Sequence, residues 1–231
     1  MNTHKLHLYL GSVLLLLSSC ASLYVPNTVN SPLLTEKKET AINLSYGMNG
    51  FDLQGAYAMT NHIGLMVNTS ASPLLNPNGK SFHGHLFAEA GLGCMFQFGE
   101  SGVFDFYTGG GYGNIKSKSN VVLDGKSNID EAEGNGYRYF IQPSIGFKKS
   151  NFQFAFSLRG VLLDLDNVWY QNSTQYTQEE GMFVEPTFNI RVGKKRVMFQ
   201  SQIGLSMPIE PSATEIRYRP LMVSLGLCMR L

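Results

Sequence analysis

Residues Arg219 to Leu231 read R-P-L-M-V-S-L-G-L-C-M-R-L. Leu221, Val223, Leu225, Leu227, Met229 and Leu231 alternate with Met222, Ser224, Gly226, Cys228 and Arg230. A period of two makes an extended strand with two unlike faces, because a helix repeats its apolar positions near every 3.6 residues. One face here is wholly apolar, and the other is mostly small or polar and ends in a charge. A strand between lipid and a narrow polar lumen has this makeup.

The same alternation recurs upstream. It runs through Thr40–Met48, Phe51–Met59, Ile63–Ser70, His83–Phe98, Val103–Lys116, Tyr137–Lys148, Phe152–Leu165, Met182–Gly193 and Val197–Ile209. With the last run this makes ten, and a single-chain outer-membrane barrel takes an even number. The expected fold is all-β: an antiparallel up-and-down transmembrane β-barrel of about ten strands. Its ring closes by pairing Leu221–Leu231 with Thr40–Met48.

Inside and outside follow from composition. The second face of the runs is mostly Gly, Ser, Ala, Asn and Gln, with few lysines, which suits a cramped lumen better than a water-facing surface. The apolar face is therefore expected to look outward. Short links at 60–62, 99–102, 149–151 and 193–196 alternate with longer ones at 71–82, 117–136, 166–181 and 210–217; only the first link, around Asn49-Gly50, is short out of turn. Outer-membrane barrels sort their connections in this way, with short turns toward the periplasm. Aromatic residues gather near both ends of the runs, as two interfacial girdles do.

Bulk properties agree. Charged residues are 15% of the chain, aromatics 12%, and the net charge of +1 carries no footprint for nucleic acid. The mean hydropathy of -0.07 fits strands that are apolar on one face only.

Ahead of the barrel, His4 and Lys5 precede the apolar run Leu6–Leu17, which is too short to span a membrane as a helix. It has the layout of a secretory signal. Leu17-Ser18-Ser19-Cys20 resembles the bacterial lipobox, and the resemblance implies cleavage before Cys20 and a diacylglyceryl group on its thiol. Residues 1–19 are then a lipoprotein signal peptide, 20–39 a lipidated extended tether, and 40–231 the barrel. Pro26 and Pro32 remove ladder donors and leave the tether extended. Tyr24, Pro26, Asn27, Asn30, Pro32, Leu33 and Leu34 give a Y-x-P-N-x-x-N-x-P-L-L pattern. It resembles the start of a group of small bacterial lipoproteins, outer-membrane barrels of uncharacterised function. The resemblance implies a Gram-negative cell envelope. Loop order places the tether, Cys20 and both barrel ends on the periplasmic side.

The chemistry on offer is sparse. Asp52, Glu89, Asp105, Gln142, Lys148, Arg159, Glu185, Arg191 and Arg230 fall on the lumen face. Their mixed signs favour an internal network of ion pairs and hydrogen bonds, since unpaired buried charge is costly. A charged constriction is the functional alternative. His83 and His85, with Asp164 and Asp166, sit at the long-loop ends of their runs, where an Asp/His rim protease would carry such groups. No motif of such an enzyme accompanies them, and no metal-ligand cluster is visible. Gly109-Gly110-Gly111-Tyr112-Gly113 opens no helix, and Gly79-Lys80-Ser81 lacks the upstream glycine of a phosphate loop. Gly160 reads as a bulge. Cys94 and Cys228 fall on opposite faces and are not expected to pair.

The expected function is a lipid-anchored outer-membrane barrel with a structural or surface-binding role, and no enzyme. Loops 117–136 and 166–181, the latter with Trp169 and Tyr170, are the candidate binding surfaces. The alternatives are a narrow pore for small solutes and a soluble periplasmic lipoprotein barrel around an apolar ligand. The lipid on Cys20 is the sole prosthetic group expected, with no metal and no cofactor. Expected partners are outer-membrane lipids, the barrel-assembly and lipoprotein-export machinery and an unidentified surface ligand.

Overall fold

The computed structural model describes residues 22–72, 82–123, 126–170, 175–194, 196–209 and 216–231. Its strands are β1 (Thr40–Gly47), β2 (Gly50–Ala58), β3 (Ile63–Ser72), β4 (Phe82–Phe98), β5 (Gly102–Leu123), β6 (Lys126–Lys148), β7 (Phe152–Tyr170), β8 (Thr177–Lys194), β9 (Val197–Leu205), β10 (Met207–Pro208) and β11 (Leu221–Arg230). Neighbours pair antiparallel from β8 through β1, then β1 pairs β11, β11 pairs β9, and β9 pairs β8. The ring is closed. The short β10 carries the β9 run onward past Ser206, since Thr187↔Gly204 and Val184↔Met207 keep one register on β8. The barrel therefore has ten walls. Closure between β1 and β11 runs from Ala41↔Arg230 to Gly47↔Ser224.

The period-two pattern sorts by side as composition required. Leu221 apart, the apolar face of the last run is open to the exterior: Leu225 and Leu227 are 53% and 51% exposed, while Met222 and Cys228 are buried. Across the ring, Leu44, Leu53, Val67, Leu92, Ile141, Ile190 and Ile203 are likewise exposed. Soluble proteins rarely show a continuous apolar surface of this extent. With a polar interior, this is a barrel of the outer-membrane type. A soluble barrel with its apolar face inward around a ligand is the inverse of what these residues build.

Two connections differ from expectation. The stretch 117–136 is a hairpin rather than a loop: β5 and β6 stay paired from Gly102↔Phe147 to Leu123↔Lys126. Only Asp124 and Gly125 separate the last pair, and Asp-Gly is the preferred chemistry of a two-residue hairpin turn. The stretch 166–181 is likewise shortened, because β7 continues to Tyr170 and β8 begins at Thr177. Gly160 forms no bulge; it pairs in register with Ile141 and Val184. The irregularities lie instead between Glu133 and Asn135 and between Leu165 and Val168, with Asn167 at φ 51. Gly79-Lys80-Ser81 lies outside the described residues.

The tether is where sequence and structure part most. It was expected outside the barrel, on the short-turn side. Instead residues 22–34 are buried along their whole length, inside the ring. Tyr24 bridges Tyr218 in parallel, and Leu23 and Tyr24 donate their amides to the Arg217 carbonyl at 2.7 and 3.0 Å. These contacts lie at the long-loop end. From there the segment descends alongside the walls and leaves at the short-turn end, where Thr40 and Leu231 exchange backbone hydrogen bonds of 2.9 and 3.0 Å. Extended chain covers at most about 3.5 Å per residue, enough for these residues to cross a bilayer-sized barrel.

Candidate functional site: the filled lumen

A peptide inside a barrel is cut off from both water and the wall's own ladder. Each of its backbone groups therefore needs a side chain from the wall. The wall supplies them in sequence down the lumen. Asn49 donates to the Pro26 carbonyl at 2.8 Å and Gln54 to the Thr28 carbonyl at 2.7 Å. Gln202 accepts from the Val29 amide and donates to the Val29 carbonyl, both at 2.8 Å. Gln142 donates to the Asn30 carbonyl at 2.7 Å, Arg191 to the Ser31 carbonyl at 2.8 Å, and Arg230 to the Pro32 carbonyl at 2.7 Å. Side chains add to this: Asn30 donates to Asn68 at 2.7 Å, and the Ser31 and Ser157 hydroxyls lie 2.7 Å apart.

The ends of the segment are apolar. Leu23 and Tyr24 join Phe87, Ile115, Val161, Leu163 and Phe183 in a buried cluster at the long-loop end. Leu33 packs on Val103 and Ala155, and Leu34 joins a cluster with Met95 and Tyr107. The segment is thus polar where the wall is polar and apolar at each mouth. Leu33 holds a left-handed φ of 48, costly for a side chain with a Cβ, and its burial together with the Arg230 hold on Pro32 offsets that cost. Gly146 makes the fit possible: a Cβ there would stand 2.5 Å from a Leu33 methyl.

The charges expected to fill the lumen divide into three groups. Glu89 accepts from Arg138 at 2.7 Å and from Arg159 at 2.8 Å, with Asn68 at 3.1 Å. The two guanidinium groups stand over the rings of Phe87 and Phe140 at 4.8 and 4.2 Å. Glu185 accepts from the Tyr24 hydroxyl at 2.6 Å and from Ser206 at 3.0 Å. At the short-turn mouth, Glu39 takes Lys148 and Arg230 at 2.5 and 2.7 Å. Burial alone would raise the Glu39 carboxyl, but these two cations hold it below its ordinary value of 4.5. Asp52 and Asp105 are buried and face inward. Gln142, Arg191 and Arg230, read as members of a wall-to-wall network, also hold the threaded backbone: Arg191 donates to Gln200 at 2.7 Å and Arg230 to Gln153 at 2.7 Å, beside their bonds to the segment. Arg138, Gln54 and Gln202 were not singled out from sequence, although their parity already put them on the inner face.

The rim groups do not assemble. His83 and His85 face inward, ring nitrogens 3.1 Å apart, and His85 is 2.9 Å from the Ser70 hydroxyl. Asp164 lies on the outer face of β7, paired with Tyr137 and Glu180 and bonded by Gln178 at 3.0 Å. Asp166 pairs with Asn135 at the β7 irregularity. No three acidic, His or Cys side chains gather as a metal site among the described residues. Cys94 and Cys228 are both free thiols. Trp169 and Tyr170 end β7 rather than lying on a loop, and Tyr170 packs against the buried cluster with Arg217 over its ring at 5.5 Å.

Beyond the outward tyrosines Tyr112, Tyr137 and Tyr139, the β5–β6 hairpin turns polar on its outer face. Lys116 meets Glu133 at 3.0 Å and Glu131 at 3.5 Å, and Lys118 meets Glu131 at 3.3 Å. Exposed pairs contribute little stability, so their consequence is a solvated, charged surface. A cavity of about 400 Å³ opens beside it, lined by Asn114, Lys116, Glu133, Asn135, Asn167 and Tyr176.

No protein-family model matches the chain, and no curated protein does. Among solved structures it is similar to the N-terminal β-barrel domain of Pseudomonas aeruginosa OprF. The TM-score is 0.37 and the identity 8%, over 84% of this chain and 98% of that domain. At that score the likeness carries no argument about activity.

Proposed function

We propose that this chain is a lipid-anchored outer-membrane barrel that plugs its own lumen and works as a structural, surface-displaying protein. The observation that carries the reading is the continuous burial of residues 22–34 inside a ring whose outer face is apolar. A lumen occupied along its length by a hydrogen-bonded peptide favours closure over conduction. The β5–β6 hairpin, with its cross-strand charges, is the surface offered to an unidentified ligand. The lipobox resemblance at Leu17–Cys20 supports the acyl anchor and the outer-membrane address, and lipids and the export and assembly machinery are the corresponding partners. No catalytic role is assigned: the rim histidines and aspartates stand on opposite faces.

The test is in two parts. Purified full-length protein should migrate differently on a gel before and after boiling, and should resist carbonate extraction from membranes. In planar bilayers it should stay silent. Steady conductance from the intact protein would sink the plug. Identical migration with full carbonate release would sink the membrane barrel itself.

A further inference from the structure

The direction of the threaded segment has a topological consequence. Three backbone bonds tie the Leu23–Tyr24 end to residues 217–219: Leu23 and Tyr24 amides to the Arg217 carbonyl, and the Arg219 amide to the Tyr24 carbonyl at 3.0 Å. Residues 217–219 lie in the long connection before β11, and the cluster around Leu23 includes Ala132 and Val168, both near the long-loop ends of β6 and β7. At the other end, Lys38 donates to the Ala58 carbonyl at 2.8 Å and Lys37 to Asn61 at 2.9 Å, in the short β2–β3 turn. The segment therefore crosses the whole barrel before β1 begins. Its first described residue, Ser22, and its last, Leu34, are toward opposite mouths.

We infer that the mature N-terminus of this protein emerges on the long-loop face of the barrel, so that an acyl group on Cys20 anchors in the leaflet on that face rather than on the short-turn side. Cys20 precedes Ser22 by two residues, and covalent geometry keeps the two within about 7 Å. That distance cannot return it through a filled lumen. The anchor and the charged hairpin then share one side of the membrane, and the C-terminal strand ends on the other. This inference rests on the outer-membrane reading above.

The experiment uses the full chain expressed in a Gram-negative host. One epitope is inserted after Ala21, a second in a separate protein at Asp124-Gly125, and a third at Gly99–Ser101. Each protein also carries Ser31→Cys and Ser157→Cys in a Cys94→Ala, Cys228→Ser background, so that an oxidised cross-link marks chains whose segment remains in the lumen. Antibody is applied to intact and then to permeabilised cells. The expected result is a cross-linked protein labelled on intact cells at the Ala21 and hairpin epitopes, and only after permeabilisation at Gly99–Ser101. A cross-linked protein whose hairpin is labelled on intact cells, but whose Ala21 epitope is not, overturns the inference alone. Absence of the cross-link in untagged protein overturns it by removing the threaded segment. A hairpin epitope hidden on intact cells overturns both this inference and the outer-membrane orientation. Fatty-acid labelling that vanishes in Cys20→Ala reports separately whether the emerging terminus carries lipid.

Discussion

Gln202 and Val29 exchange two hydrogen bonds of 2.8 Å across 173 residues of sequence, the side-chain amide of one matching the backbone of the other. The pair copies a ladder interaction with a side chain in place of a strand. Its removal should be felt. Gln202→Leu leaves a buried amide and carbonyl of Val29 without partners, which costs about 1–3 kcal/mol for each group stranded. Urea midpoints of the folded barrel in detergent should fall accordingly, while Gln202→Glu, which keeps the acceptor for the Val29 amide, should lose a different and separable part. An unchanged midpoint in Gln202→Leu would mean that the segment is not held there.

Proximity between Ser31 and Ser157 makes a direct test of threading. Their hydroxyls are 2.7 Å apart, so the paired cysteine variant should oxidise readily in purified protein and survive as a cross-linked species under denaturing conditions. Two freely alkylated thiols in the folded barrel would place the segment elsewhere.

Glu89 stands between two buried guanidinium groups, Arg138 and Arg159. Taking away one partner of a buried charge cluster typically costs about 3–5 kcal/mol, because the remaining charges are left in low dielectric. Glu89→Gln should therefore destabilise the barrel severely. Replacing all three by apolar residues of similar volume should recover much of the loss. Thermal and urea unfolding of the single and triple variants separate the two outcomes.

Acid should loosen the short-turn mouth. The Glu39 carboxyl is held below its ordinary 4.5 by Lys148 and Arg230, against the opposing effect of burial, and Thr35 donates to it as well. A depressed folded-state value means that the unfolded chain binds the proton more tightly, so stability rises with pH through this window. The contribution is complete above about 4.5 and is lost as pH falls through the lower folded value. Glu39→Gln should flatten that part of the urea-midpoint profile below neutrality; a profile unchanged from the parent would remove Glu39 as its source.

Gly146→Val should expel Leu33 from its seat. The first carbon added at Gly146 already meets a Leu33 methyl at 2.5 Å and the Phe154 carbonyl at 2.7 Å, and Gly146 and Phe154 cannot separate without breaking the β6–β7 ladder. The variant should unfold at lower urea and expose the segment to protease near Leu33. Leu33→Ala in the same background should restore part of the loss, and failure to do so would make the clash with Phe154 the dominant one.

The wall of this barrel was legible residue by residue. Period two in Leu221–Arg230 and its counterparts determines a strand, its two faces and, through their composition, which face meets lipid, because each is a local property of side-chain order. The order of short and long links determines which ends share a side. The extension of β5 and β6 beyond Lys116 and Tyr137 was not legible, because residues 117–136 are too polar to show the apolar alternation of the other runs. Nor was the plug. Tyr24 to Leu34 has no periodicity, since a peptide without a ladder has no inner and outer face to alternate. Its partners, from Asn49 to Arg230, lie as far as 198 residues away. Only closure of the ring brings those side chains around one axis. That closure decides that a segment with the composition of a loose tether is buried and hydrogen-bonded by the wall, and that it runs from the long-loop mouth to the other.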